Sequence, residues 1–70
     1  MSLPGMPQKE EDKKIYLLIK EGRMMTAAEL RERTGYSKGQ VHSSLMKLYH
    51  NGYIIIAKRD TKKGCMWKVN

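Results

Sequence analysis

Apolar residues early in the chain recur with the period of a helix. Ile15, Leu18 and Ile19 stand at positions i, i+3 and i+4, which places them on one helical face. The charged stretch 9–14 leads into this segment, and Gly22 is a natural stop for it. The pattern therefore predicts an amphipathic first helix.

Two capping boxes mark the starts of the next two helices. Thr26 and Glu29 fit the pattern in which a hydroxyl and a carboxylate each satisfy a free backbone N–H at a helix start. Ser37 and Gln40 repeat the pattern, and Gly35 between the boxes ends the second helix. Two boxes around a short glycine turn predict a pair of helices joined by a tight connection.

The third helix has an inward stripe at i, i+4 and i+7, formed by Val41, Leu45 and Leu48. The outward arc is then mostly polar, with Lys38 and Ser44 on its flanks. Its members are Gly39, Gln40, His42, Ser43, Met46, Lys47 and His50. Residues 51–52, Asn-Gly, are a strong C-terminal stop.

The period changes from 3.6 to 2 after Gly52. Residues 53–59 and 65–69 are rich in β-branched and aromatic side chains, and the turn 60–64 joins them. The sequence thus predicts an α+β domain over residues 9–70, with three helices followed by a two-stranded β-hairpin. Residues 1–8 are expected to be a disordered leader or tag remnant.

Size and charge narrow the class of protein. The chain has 70 residues, enough for one compact unit, and its net charge is +7. Residues 1–34 carry seven basic and six acidic side chains, whereas residues 35–70 carry seven basic ones and a single acid, Asp60. Such a basic half suits a polyanion, and nucleic acid or an anionic membrane surface are the usual ones.

Several classes are excluded or disfavoured. The longest apolar runs have five residues, far short of the roughly 20 that span a bilayer, and no signal peptide opens the chain. The lone Cys65 gives no disulfide framework and is expected to be a buried structural thiol. Without paired carboxylates, a phosphate loop or metal-ligand spacing, we expect a cytoplasmic protein that is not an enzyme and has no cofactor or metal. Trp67 is expected to be a packed aromatic of the second strand.

The chain resembles the winged helix-turn-helix superfamily of DNA-binding domains over about residues 10–70. The matching features are residues 26–30, the turn 35–37, Val41, Leu45, Gly52 and the hairpin around 60–64. The resemblance implies that helix 37–51 enters the major groove of double-stranded DNA and that the hairpin "wing", 58–65, reaches the backbone or minor groove. It also implies a small transcriptional regulator associated with the nucleoid.

The candidate contact residues of the third helix are Ser37, Lys38, Gln40, His42, Ser43 and Lys47. Gln40 can pair with adenine through two hydrogen bonds, Lys38 or Lys47 with guanine or phosphate, and Ser43 with either. Gly39, costly within a helix, suggests close approach of the backbone to phosphate. A merely solvated polar face is the alternative interpretation.

The candidate contact residues of the hairpin are Lys58, Arg59, Lys62 and Lys63. These cations would neutralise phosphates without reading sequence. The alternative is an edge hairpin whose lysines prevent unwanted strand pairing, and both roles can hold together.

Two other functions remain open. Lys38 and residues 66–69, with Trp67, are similar to the Z-alpha domains that bind Z-form duplexes, although His42 and Ser43 stand where that family has Asn and Arg. A protein–protein docking module is the second alternative. Because one small module gives a small interface, useful specificity would need a homodimer or neighbouring copies on DNA. Leu17, Tyr16 and Met46 are spare apolar residues that could serve such a dimer, and coverage by the core or ordinary exposure explains them equally well.

Overall fold

The structure, a computed structural model, describes residues 7, 9–62 and 64–70. Its elements in chain order are α1 (Glu10–Gly22), β1 (Met25–Thr26), α2 (Ala27–Thr34), α3 (Lys38–His50), β2 (Ile54–Asp60) and β3 (Gly64–Val69). The α+β class and the three helices are confirmed. Of the predicted leader 1–8, only Pro7 is among the described residues, and it is buried. Lys63 of the predicted wing lies outside the described residues.

The two capping boxes form as predicted. Thr26 Oγ1 accepts a hydrogen bond from the Glu29 N–H at 3.3 Å, and Glu29 Oε1 accepts one from the Thr26 N–H at 3.2 Å. Ser37 and Gln40 repeat this reciprocal arrangement at the start of α3, at 3.2 and 2.9 Å. Gly35 ends α2 in the left-handed conformation at φ 76°. Only three residues therefore separate α2 from α3, which holds the two helices in a defined relation.

The core lies between the three helices and one face of the sheet. Its fully buried members are Ile15, Ile19, Leu30, Val41, Leu45, Leu48 and Ile54, with Met25 and Trp67 nearly so. The predicted inward stripe of α3 is confirmed. Ser44, predicted on a flank of α3, is only 3% exposed, because its small side chain lies at helical spacing from Val41 and Leu48 at the edge of the inward stripe. Cys65 is half-buried rather than buried.

The sheet has three antiparallel strands in the order β1-β3-β2. The prediction of a two-stranded hairpin is therefore wrong by one strand, although the hairpin itself, β2 with β3, is present. The additional strand, β1, pairs Met25 with Trp67 and Thr26 with Met66. It is only two residues long, so no alternation of apolar and polar positions could mark it in the sequence.

A tight turn connects α1 to β1. Arg23 has φ 68° and ψ −58°, and the Met24 N–H donates to the Gly22 carbonyl at 2.8 Å, which is the geometry of a γ-turn. A Cβ on Gly22 would lie 2.8 Å from Met25 Sδ. The chain thus reverses closely enough to place Met25 in the core beside Trp67.

Candidate nucleic-acid interface

The outward face of α3 is polar and open to solvent. Its exposed members are Gly39, Gln40, His42, Ser43, Lys47 and His50, as the inward stripe requires. Met46, on the same side of the helix as His42, is half-buried. No described acidic side chain forms an ion pair with Lys38 or Lys47, so both ammonium groups are available to an anionic partner.

The start of α3 combines free backbone donors with a lysine. In the first turn of any helix the N–H groups have no intrahelical acceptor, and here the capping box occupies those of Ser37 and Gln40. The N–H groups of Lys38 and Gly39 remain, at the positive end of the helix dipole. This end of α3 is suited to a phosphate oxygen.

The capping box also constrains Gln40. Its Oε1 accepts the Ser37 N–H at 2.9 Å, whereas pairing with adenine through two hydrogen bonds needs both Oε1 and Nε2 on the base. Gln40 can therefore read a base fully only if the box opens. Ser37 Oγ accepts the Gln40 N–H and keeps its own O–H as a donor.

Gly39 has no structural partner that would require a glycine. A Cβ built at this position meets no protein atom within 4 Å. Packing within the domain therefore does not explain why the helix tolerates its least favourable ordinary residue here.

An open groove of about 310 Å³ lies between α3 and the hairpin. Its lining residues are Ala27, His42, Leu45, Met46, Ile56, Gly64, Cys65 and Trp67. Because the groove joins the His42 side of α3 to the Gly64 end of β3, the outward part of α3 and the hairpin turn border a single surface. Met46 was expected on the outward arc together with His42, whereas Ile56 and Cys65 were not expected to belong to this surface.

The hairpin carries exposed cations. Lys58, Arg59 and Lys62 are exposed, and the Lys62 N–H donates to Asp60 Oδ1 at 2.7 Å, which tightens the turn. The strands do not pair evenly: Ile56 lies opposite Trp67 and Lys58 opposite Met66, so Ala57 is an extra residue in a β-bulge.

Charge is segregated between the elements. Six of the seven acidic side chains belong to α1 and α2, and the seventh is Asp60. The excess positive charge therefore lies on α3 and the hairpin, the two elements that border the groove.

The side chain of Trp67 is packed in the core and is not exposed for contact with a ligand, as predicted. It is 5% exposed, and its ring meets that of Tyr49 edge to face at 5.7 Å between centroids. The hydroxyl-bearing Tyr49 is 41% exposed at the end of α3. Trp67 thus supports the relation between α3 and β3 and is not a platform on which a base can stack.

Neither a metal site nor a membrane-spanning helix is found among the described residues. Within residues 7, 9–62 and 64–70, no three His, Cys, Asp or Glu side chains are grouped so that they could hold a metal ion. None of the helices in that part of the chain has the length and apolar character needed to cross a membrane.

Comparison with protein-family models, curated proteins and solved structures gave no match for this chain.

Proposed function

We propose that this chain is a winged-helix domain that binds double-stranded DNA and serves as the DNA-binding domain of a small transcriptional regulator. The observation that carries the proposal is the groove between α3 and the hairpin, bordered by the two elements that hold the excess positive charge. A polyanion laid across this surface would meet an open polar helix face and exposed cations together.

In the proposed complex, α3 lies in the major groove, which is about 12 Å wide and admits one helix. The exposed His42, Ser43 and Lys47 face the base edges, while Lys38 and the free amides of the first turn hold a phosphate. The hairpin lies along the neighbouring backbone, and the cations on its DNA side add affinity without reading sequence. Ser37 and Gln40 support the helix start, because the capping box engages them.

The direct test is retention from a pool of random-sequence duplexes across a salt series, followed by sequencing of the retained DNA. Specific binding gives an enriched motif, and two copies of the domain on one site give a motif with two-fold symmetry. The logarithm of the association constant should fall linearly with the logarithm of salt concentration, by about 0.9 for each phosphate neutralised.

Two lysines provide a matched pair for this assay. Lys47→Ala removes an exposed cation from α3 and should reduce the salt slope by about 1. Lys13→Ala removes an exposed cation from the outer face of α1 and should leave both affinity and slope unchanged. Equal effects of the two variants would mean that general charge, and not the surface of α3, drives binding.

The same assay separates the alternative functions. No retention on any duplex at low salt would contradict DNA binding and favour a protein-docking module. Inversion of the circular dichroism of alternating GC DNA on titration would instead favour binding to the Z-form.

A further inference from the structure

We propose that the hairpin meets DNA through one face only, and that of the two neighbouring cations of β2, Arg59 lies on that face and Lys58 does not. The proposal rests on the duplex binding proposed above and specifies which surface of the hairpin the DNA covers. In the sequence the two residues are equivalent, since both are exposed cations next to each other in β2. The pairing of the strands distinguishes them.

The register assigns each cation to a face. Residues directly opposite each other in antiparallel strands project from the same side of the sheet, and alternate residues of a strand share a side. Arg59 lies opposite Cys65, and Ile56 lies opposite Trp67. Because Cys65 and Trp67 are alternate residues of β3, these two pairs share one face.

Lys58 belongs to the other face, because it lies opposite Met66, between Cys65 and Trp67. If the register of Ile56 with Trp67 continued evenly, Ala57 would pair with Met66 and Lys58 with Cys65. The bulge at Ala57 therefore exchanges the two cations between the faces. Bulges commonly change the direction of a side chain in this way beside functional surfaces.

The face that carries Arg59 is the one turned toward α3. Ile56, Cys65 and Trp67 all line the groove, whose opposite wall is formed by His42 and Met46 of α3. Arg59 thus continues this face toward the hairpin turn, beyond the apolar lining. DNA that contacts the outward side of α3 comes within reach of this face, while Lys58 points away from it.

The chemistry of the selected residue fits a backbone contact. A guanidinium group can donate two parallel hydrogen bonds to one phosphate, which an ammonium group cannot do. The bulge thus places on the groove side Arg59, the cation whose guanidinium can bind one phosphate through two hydrogen bonds.

The first test compares Arg59→Ala with Lys58→Ala in duplex binding across the salt series. Arg59→Ala should lower affinity about tenfold, as for loss of a charge-assisted hydrogen bond, and reduce the salt slope by about 1. Lys58→Ala should change neither by more than experimental scatter. Equal losses, no loss in either variant, or a larger loss in Lys58→Ala would overturn the inference while leaving duplex binding intact.

The second test maps the covered face without altering either cation. Cys65 lies on the proposed contact face and is half-buried, so the rate of its reaction with a small thiol reagent can be measured with and without duplex. The variant C65S/M66C moves the thiol to the opposite face, at a position that is also half-buried. Duplex should slow the reaction in the wild-type protein and leave it unchanged in the variant.

The outcomes of this labelling experiment are distinct. Protection of both thiols, or of the variant thiol alone, would overturn the assignment of the face. Absence of duplex binding by the wild-type protein, seen in the same titration, would overturn the proposed function itself and this inference with it.

Discussion

At the scale of single residues, two exposed glycines occupy their positions for different structural reasons. A Cβ on Gly35 or on Gly39 would meet no protein atom within 4 Å, so space does not explain either. Gly35 has φ 76°, a conformation that L residues adopt at a cost, whereas Gly39 lies in the first turn of α3 without such a constraint. The backbone conformation therefore requires a glycine at Gly35 but not at Gly39.

The two glycines therefore predict substitutions of opposite sign. Gly39→Ala should raise the free energy of unfolding by about 0.5–1 kcal/mol, because alanine is the better helix former. Gly35→Ala should lower it by about 1 kcal/mol, because the left-handed conformation becomes strained. Urea denaturation measures both. If Gly39→Ala also weakens duplex binding while stabilising the fold, the glycine is retained for close approach of the backbone to DNA.

A destabilised Gly39→Ala variant would contradict this account. It would mean that α3 in solution does not have the open first turn described above.

At the same scale, the sequence predicted those structural features that depend on residues close together along the chain. The capping residues, the inward stripe of α3 and the packing of Trp67 were all predictable, because each depends on spacing along a few residues or on apolar character. Ser44 was not, since its burial depends on how closely α3 packs against its neighbours.

At the scale of elements, α3 depends on a capping box that also limits its chemistry. Gln40→Ala removes the side-chain amide and with it the hydrogen bond from the Ser37 N–H, while the bond from the residue-40 N–H to Ser37 Oγ remains, and should lower the free energy of unfolding by about 1 kcal/mol. Gln40→Glu keeps an acceptor for the Ser37 N–H and adds a favourable negative charge at the helix start, so its stability should match the wild type.

The enriched DNA motif gives the readout for Gln40. If Gln40 acts only as a cap, Gln40→Ala should retain the wild-type base preferences with weaker affinity. A preference for adenine that disappears at one position would show that the box opens on binding and that Gln40 reads a base.

Two features of the sheet could not be predicted from the sequence. Strand β1 has two residues, and its partner Trp67 is far along the chain. The bulge at Ala57 depends on how two strands align, and the run Tyr53 to Arg59 is equally compatible with either register. The face assigned to Arg59 follows from that alignment and so is visible only in three dimensions.

At the scale of the whole molecule, Met25 couples the helices to the sheet. It is 3% exposed, belongs to the core cluster and pairs with Trp67, while the adjacent Met24 is 45% exposed. The two residues are chemically identical and differ in burial alone.

Met25→Ala should therefore lower the free energy of unfolding by about 2–5 kcal/mol, and Met24→Ala by much less. Because Met25 touches both layers, helical circular dichroism and Trp67 fluorescence should be lost together in one transition. Separate midpoints for the two signals would show that the helices and the sheet unfold independently, contrary to this picture.

The position of β3 has a consequence for how the protein is made. It is the middle strand of the sheet and follows the other five elements among residues 7, 9–62 and 64–70, the part of the chain that the structure describes. While a ribosome has synthesised only the residues up to Asp60, β1 and β2 have no strand to pair with, and the apolar side chains of Met25 and Ile54 lack part of their cover. The nascent chain can form helices early, but its core closes only when Trp67 has emerged.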